Sequence, residues 1–348
     1  MILALLLLLA LLYVPWFYLT KVNKKRDEAP GPYPYPFVGN LHQIFKHEKV
    51  VFRALHNMAV KYGPVVTLWF GGKKQVVVSG VEELKEMMHN PAFDGRSWPQ
   101  KKQVIDEIYT GQTSDINPHN LGVLFASGEC WQVLRRFSLR SLRDNGFGKQ
   151  VAEMYILEEA QYLMDYLRQR IKENPVVTNL DQIFTMMALN IVWQMAAGER
   201  FNFDEEGMVQ LLTFEQDINE TFWSIIFSPL IVMPFLKHLP PMKNVVSNAT
   251  RKMKKLHSFF DKTIEQHRNS FDGNNIRDVI DAFIAQEASS TKSAHFDQAN
   301  LRVLLSDLFL AGSETTGKTM EWACLFMILY PEVMILSSFR RSHNAAKS

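Results

Sequence analysis

A glycine, a carboxylate and two threonines interrupt an apolar segment late in the sequence. The leucines before them have the spacing of one buried helical face: Leu301, Leu304, Leu305 and Leu308. The same face, continued, carries Ala311, Gly312, Thr315, Thr319 and Trp322. Gly312 costs a helix about 1 kcal/mol relative to alanine, and Glu314 is costly to bury without a partner. A surface patch and a helix end are the alternatives, and the apolar pattern, which resumes until Pro331, argues against both.

A second pair of candidate binding residues lies between residues 122 and 149. Trp131 and Arg135 are four residues apart, so on a helix both side chains point to one side. An indole N–H beside a guanidinium is a donor pair suited to a carboxylate. The alternative is a core tryptophan with an unrelated surface arginine, and the spacing alone leaves this alternative open.

The composition is that of a globular chain with a substantial core. Its 348 residues suffice for one large domain or two ordinary ones, and 47% of them are hydrophobic. A formal charge of +2 gives no indication of a nucleic-acid partner. Cys130 and Cys324 are too few for a disulfide framework or a four-ligand zinc site, which indicates a reducing compartment. We name no metal-ligating residue in this sequence.

The N-terminus, residues 1–20, predicts a membrane anchor. No charged residue precedes Lys21, and a helix over residues 1–19 would be about 28 Å long, one hydrocarbon thickness. Basic residues follow at once, which predicts that the body of the chain faces the cytosol. The alternative is a cleaved signal peptide, but the segment lacks a basic start, a short apolar core and a cleavage site. On the cytosolic side, the glycosylation sequons at Asn219 and Asn248 would remain unmodified.

The rest of the chain is predicted to be mainly α-helical with a small β element. Basic residues and then four prolines make residues 21–36 a hinge, which we expect to be a stiff strut between membrane and domain. Two β-branched runs around Gly71 and Gly72 predict a hairpin. Helical spacing recurs in segments that start at residues 81, 158, 181, 247 and 276. The apolar, proline-broken stretch 224–241 is either a loop that dips into the membrane surface or a buried helix–loop–helix corner.

Taken in chain order, these motifs resemble the microsomal cytochromes P450 of animals, in particular the family-2-like members. Gly128, Trp131, Arg135 and Arg136 match the G-x-x-W-x-x-x-R-R pattern of the helix C region. "AGSETT", residues 311–316, is similar to the distal-helix motif A/G-G-x-D/E-T-T. Three further segments resemble the proline hinge, the helix B–C segment and the end of helix E: "PGPYPYPFVGN", "FDGR" (93–96) and "LNIVWQMAAGERF" (189–201). The resemblance covers about residues 30–333.

The resemblance implies a partial cytochrome P450 fold over residues 37–333, behind the anchor and the hinge, followed by an unrelated tail over 334–348. It implies haem b as the cofactor, with three side chains that hold the haem propionates: Trp131, Arg135 and Arg96.

For the distal helix, the resemblance implies an oxygen site. Ala311 and Gly312 are small enough to let the helix backbone approach the haem. Thr315 is expected to bond the carbonyl of Ala311, which would loosen the helix and open a groove for O₂. Thr315 and Glu314 would then relay protons to that groove.

Two motifs that the family needs do not follow the distal helix: the F-x-x-G-x-x-x-C-x-G loop with its thiolate, and a helical E-x-x-R. "FASGEC" (125–130) has one residue rather than three between glycine and cysteine. "EQHR" (265–268) precedes the distal helix, and Cys324 is expected on the side of that helix opposite Thr315. We therefore predict that the chain lacks its axial ligand and is inactive as it stands. We also expect the Leu301–Leu308 face to be left uncovered and to promote aggregation.

By resemblance, the complete protein is a monooxygenase of the endoplasmic reticulum membrane, single-pass, with its body in the cytosol. Its expected partners are NADPH-cytochrome reductase, membrane lipid and an apolar substrate. The apolar side chains near residues 116–125 and 214–235 are expected to determine which substrate binds. Steroids, terpenoids, fatty acids and foreign compounds all remain open as that substrate. The alternatives are a non-catalytic anchored product that acts as an interaction partner or decoy, and an unrelated helical membrane protein. A fragment, a mis-predicted gene end and a genuine short product would all give this sequence.

Overall fold

The computed structural model forms two compact units, each described here by itself. One unit comprises Met1–Arg96 with Phe227–Met242, and the other comprises Ser97–Ile226 with Lys243–Ser348. The structure describes residues 12–16, 28–36, 38–46, 50–71, 73–94, 104, 107–109, 121–174, 180–226, 230, 234–289 and 294–332. The predicted boundaries after residues 20 and 333 lie outside this described part.

The first unit contains the predicted hairpin. Its elements are α1 (Leu41–Phe45), α2 (Val51–Tyr62), β1 (Val65–Phe70), β2 (Lys73–Val78) and α3 (Val81–His89). The strands pair antiparallel, with Val65 opposite Val78 and Phe70 opposite Lys73. Gly71 has a φ of +62° in the turn, a conformation that glycine adopts without steric cost. The hairpin prediction is therefore confirmed.

The proline-rich hinge packs along β1 rather than standing apart from the domain as a strut. The Thr67 amide donates to the carbonyl of Pro30 at 2.8 Å. Ten residues later, Asn40 Oδ1 accepts from the amide of Trp69 at 2.7 Å. Pro30 of the hinge thus accepts a backbone hydrogen bond from β1, and Asn40, just after the hinge, accepts one through its side chain. Proline spacing alone does not predict either contact.

The second unit is built from helices in its described part. They are α4 (Gly128–Asp144), α5 (Gln150–Glu173), α6 (Leu180–Ala197), α7 (Glu206–Ile226), α8 (Met242–Asn269), α9 (Val279–Ala288) and α10 (Gln298–Leu329). The predicted helical segments are all confirmed. Helices α6 and α10 form the most extensive helix pair. The core around this pair contains large side chains that are at most 2% exposed: Trp193, Phe260, Phe283 and Phe309.

A polar network fixes the end of α6 to α5. Glu159 of α5 is 2% exposed and accepts from Arg200 Nε at 2.7 Å. Asn190 of α6 donates to the same carboxylate at 2.8 Å and also bonds both backbone groups of Phe201. A buried charge is tolerated when it is paired and hydrogen-bonded, as Glu159 is. The polar residues of the segment 189–201 therefore have a structural purpose.

The predicted membrane segments lie mostly outside the described residues. Of the anchor at 1–20, residues 12–16 are described, and they are helical. Among the described helices, none combines the length and the apolar character that a membrane span requires. In the stretch 224–241, α7 ends at Ile226 and a short 3₁₀ helix covers Pro234–His238. Phe235 is exposed and Leu230 is buried, and both predicted alternatives for this stretch remain predictions.

Candidate functional site

The centre of α10 presents a row of small side chains to solvent. Ala311, Thr315 and Thr319 are all exposed, at intervals of four residues. Thr315 Oγ1 donates to the carbonyl of Ala311 at 2.7 Å, which confirms the predicted hydrogen bond, and Thr319 bonds the carbonyl of Thr315 in the same way. Helix α10 stays α-helical from Gln298 to Leu329, and the predicted loosening of the helix and groove for O₂ remain predictions.

The two glycines of α10 face α6. A Cβ on Gly312 would overlap the Val192 side chain, and a Cβ on Gly317 would lie 2.9 Å from Thr185 Cα and 3.0 Å from Thr185 N. Helix α6 therefore comes closer to α10 than a side chain at either position would allow. Close helix packing gives Gly312 a reason of its own, separate from the predicted approach to the haem, which remains a prediction.

The carboxylate at the centre of α10 is held by an amide from α7. Asn219 Nδ2 donates to Glu314 Oε1 at 2.5 Å, and both side chains are half-buried. Within the described part of the chain, Glu314 forms no ion pair. The cost of partly burying this carboxylate is thus met by a neutral donor.

A second carboxylate, Asp307, lies two turns earlier on α10 and anchors the loop 121–125. Its Oδ2 accepts from the amides of Val123 (2.6 Å) and Leu124 (3.0 Å), and its Oδ1 accepts from the Tyr109 hydroxyl (2.7 Å). Burial raises the pKa of Asp307 to about 6, although these three hydrogen bonds favour the charged form. Sequence reasoning did not find this residue, because its partners are as many as 198 positions away.

The predicted donor pair is present on α4. The guanidinium carbon of Arg135 lies 5.3 Å from the ring centroid of Trp131, so both side chains occupy one side of the helix, as predicted. Arg135 is exposed and Trp131 is half-buried. Gly128 begins α4 with a φ of +65°, which explains the glycine of this motif. Arg96, the third predicted propionate ligand, lies outside the described residues.

Neither cysteine lies with the exposed small-residue face. Cys130 is 1% exposed within α4, and its sulfur is 3.9 Å from Asn300 Oδ1. Cys324 packs against the hydrophobic core, whereas Thr315 is exposed. Burial raises the pKa of the Cys324 thiol, which disfavours a thiolate.

The segment 265–268 does not form the internal ion pair that an E-x-x-R motif suggests. Arg268 Nη2 bonds Glu287 of α9 at 2.7 Å. This pair joins α8 to α9, which gives Arg268 a structural role.

A buried histidine with two aspartates joins α8 to α9 nearby. The ring nitrogens of His267 lie 2.8 Å from the carbonyl oxygen of Thr263 and 2.9 Å from Asp278 Oδ2. Burial alone would lower the pKa of His267, but these hydrogen bonds raise it above its ordinary value. Asp281 is paired with Arg277, so all three polar groups have partners within the protein.

The residue types present could hold one face of a haem. Trp131 and Arg135 could donate N–H groups to a propionate, and Ala311, Thr315 and Thr319 form an exposed row of small side chains that could accommodate a flat ring. An axial thiolate would have to come from the opposite face.

A sequence profile of the cytochrome P450 family matches residues 29–335. The chain therefore belongs to the cytochrome P450 family, in agreement with its helical fold and the motif residues of α4, α6 and α10.

Its relatives are family-2 cytochromes P450 of animals. The chain is 33% identical over 311 residues to cytochrome P450 2B4 of Oryctolagus cuniculus, covering 87% of this chain and 59% of that protein. It is 32% identical over 322 residues to cytochrome P450 2C41 of Canis lupus familiaris, covering 90% of this chain and 61% of that protein. The chain thus spans about 60% of the length of these relatives.

Proposed function

We propose that this chain is the substrate-facing and oxygen-facing part of a haem-thiolate monooxygenase. The observation that carries the proposal is the exposed row of Ala311, Thr315 and Thr319 in the middle of α10, beside the Glu314 carboxylate. The complete protein would insert one atom of O₂ into an apolar substrate. The second oxygen atom would leave as water, with two electrons from NADPH through a reductase and two protons.

The residues of this chain would bind the cofactor and deliver protons. Trp131, Arg135 and Arg96 would hold the propionates of haem b, which supplies the activation of O₂ when it is bound. Thr315 gives its own hydrogen to the Ala311 carbonyl, so its oxygen remains an acceptor for the hydrogen of a water molecule. The half-buried carboxylate of Glu314 would take up a proton and pass it to that water.

The substrate would be an apolar small molecule. Helices α7 and α8 and residues 108–109 line a narrow pocket that is almost entirely apolar, formed chiefly by Ile108, Tyr109, Ile218, Phe222, Ile225 and Met253. Phe125 bridges this wall, with its ring 5.4 Å from that of Tyr109 and 6.2 Å from that of Phe222. Apolar lining selects for apolar ligands without choosing among steroids, terpenoids, fatty acids and foreign compounds.

We further propose that residues 1–348 alone do not turn over substrate. Cys130 is buried in the core and Cys324 packs away from the Thr315 side, which supports the absence of an axial thiolate from either residue. The second candidate function, a non-catalytic anchored product, is favoured by the exposed aromatic side chains at the end of α10, which offer a surface to another protein.

The test of the cofactor proposal is a spectrum of residues 1–348 reduced with dithionite under CO. We expect weak haem retention and no red-shifted absorption band of the kind that a thiolate-ligated ferrous haem–CO complex gives. Arg135→Ala should retain less haem than the chain itself. Arg140→Ala, an exposed arginine on the same helix, should retain as much. A stable thiolate-type band would mean that Cys130 or Cys324 reaches the iron, and the proposal of an incomplete enzyme would have to be abandoned.

The test of the proton relay uses a complete relative with the same α10 motif. Thr315→Ala should increase peroxide release relative to product per NADPH consumed, while substrate binding persists. Thr315→Ser keeps the hydroxyl and is the matched control, which should leave the ratio unchanged. An unchanged ratio in Thr315→Ala would mean that Thr315 serves only the helix.

We also propose that the protein is anchored in the endoplasmic reticulum membrane by residues 1–20, with its body in the cytosol. Protease added to sealed microsomes should then digest the body beyond about residue 21. A protected body would contradict this topology.

A further inference from the structure

The contact between Asn219 and Glu314 joins two helices at the predicted proton relay. Asn219 is on α7, and it lies 95 residues before Glu314 in the sequence. Within the described residues, Asn219 is the one side chain that bonds the Glu314 carboxylate, and it does so through Oε1 alone. The orientation of Glu314 on α10 is therefore set by a residue of another helix.

The chemistry of the partner matters as much as its position. A lysine or arginine at position 219 would neutralise the carboxylate and hold it in an ion pair. The Asn219 amide donates one hydrogen bond to Glu314, and an amide carries no charge and does not titrate, so it orients a carboxylate without competing for its proton. This is the kind of partner that a proton-transferring group needs.

Helix α7 is held in place on both sides of Asn219. Lys252 of α8 bonds Asp217 at 2.8 Å and Glu220 at 3.3 Å. The neighbouring residues Ile218 and Phe222 line the apolar pocket between α7 and α8. Asn219 is thus directed towards α10 by a segment whose other side chains have different partners.

We infer that Asn219 is a positioning residue, which holds the Glu314 carboxylate in the orientation required for proton transfer beside Thr315. This inference rests on the proposed role of Glu314. It adds a residue from α7 that the distal-helix motif does not contain.

The inference is tested without haem, by labelling carboxylates of residues 1–348 with a carbodiimide and an amine and locating the product by peptide mass spectrometry. Asn219→Ala should raise the labelling rate of Glu314 by about tenfold, which corresponds to about 1.4 kcal/mol and lies near the lower end of what a hydrogen bond to a charged group contributes. Glu321, which is paired with Lys318 at 3.0 Å on the same helix, is the internal control and should label at its original rate.

Two further variants separate positioning from general loosening. Asn248→Ala removes an exposed asparagine of α8 that accepts from Arg251 at 2.6 Å, and it should leave Glu314 labelling unchanged. Asn219→Gln keeps the amide, so Glu314 should label more slowly in this variant than in Asn219→Ala. This variant keeps the inference testable if Asn219→Ala folds poorly. An unchanged Glu314 rate in Asn219→Ala, or an equal rise at Glu314 and Glu321, would overturn the inference. A failure of haem binding would leave this result intact and would count against the proposed function alone.

Discussion

The two ends of α10 have the same apolar pattern and opposite surroundings. In the first half, residues 298–310, Leu301, Leu304 and Leu305 are at most 1% exposed. In the second half, residues 318–329, Trp322 is 57% exposed and Ile328 is 68% exposed. The first half contacts α8 through Phe309 and Phe260, whose ring centroids are 5.9 Å apart, and contacts the loop 121–125 through Asp307. The aromatic rings of the second half contact one another, with Trp322 and Phe326 centroids 6.0 Å apart.

This difference corrects the expectation that the Leu301–Leu308 face would be uncovered. Leu301, Leu304 and Leu305 are buried, and Leu308 is half-buried against the core. The uncovered apolar surface lies about five turns further along the helix. A helical pattern shows which side of a helix is apolar, but the elements that cover each part of that side come from elsewhere in the chain.

The largest expected effect comes from shortening one leucine in each half. Leu304→Ala should lower the free energy of unfolding by about 2–5 kcal/mol, because it leaves a cavity in a close-packed core. Leu325 is 40% exposed, so Leu325→Ala should cost less than about 1 kcal/mol. Urea denaturation of both variants measures the difference. Equal losses would mean that the second half is also covered in solution.

The next largest effect is a pH dependence of the free energy of unfolding, which arises from Asp307 in the first half of α10. The pKa of Asp307 is raised to about 6, so between pH 6 and its ordinary value of 3.8 the folded chain holds a proton that the unfolded chain has released. Falling pH therefore stabilises the native protein relative to Asp307→Asn, by about 2 kcal/mol from about pH 7 to about pH 4. Denaturation of both proteins across this range measures the gain.

The comparison with Asp307→Asn is needed because another buried group titrates with the opposite sign. Burial lowers the pKa of His257 to about 3, so acid favours the unfolded state below its ordinary value of 6.5. His257 is present in both proteins and its contribution cancels. A constant difference between the two proteins would show that Asp307 does not titrate in this range.

A smaller effect is expected on the side of α10 that faces α6. Gly317→Ala places a methyl group against the backbone of Thr185, which cannot rotate away, and should cost about 1–3 kcal/mol. The atoms nearest to a methyl group at position 312 all belong to the Val192 side chain, so adding Val192→Ala should recover part of the loss in Gly312→Ala. Unfolding midpoints of the single and double variants test this. Strict additivity would mean that Val192 does not press on residue 312.

The smallest change in stability is expected at the exposed aromatic rings. Phe326→Gln should change the free energy of unfolding by no more than about 0.5 kcal/mol, as surface substitutions do. It should nevertheless reduce aggregation, because it divides an exposed apolar surface. Light scattering during concentration measures this, with Thr316→Gln as the control. Equal aggregation of both variants would mean that the protein aggregates through a different surface.

The spacing of residues in the sequence was sufficient to predict contacts between residues that are close together in the chain. The hydrogen bond from Thr315 to Ala311 and the contact of Trp131 with Arg135 both follow from an interval of four residues on a helix. The hairpin follows from two β-branched runs and a glycine turn. These features depend on backbone geometry that repeats within a few residues.

The rest of the site depends on residues that are far apart in the chain. The Tyr109 hydroxyl bonds Asp307, and Val192 meets Gly312 across the α6–α10 crossing. No local period links such residues, because their contact is created by the packing of helices. For the same reason, Glu314 was found from its motif and Asn219 was not.

The hydrogen bond of Asn219 also means that its sequon would be accessible to glycosylation before folding and blocked after it. The amide nitrogen that would receive a glycan is the atom that donates to Glu314, whereas Asn248 is exposed on α8. If the body is redirected to a glycosylating compartment, folding should close the first acceptor and leave the second one open. The ratio of glycans at Asn219 and Asn248 would then record whether modification came before or after the helices assembled.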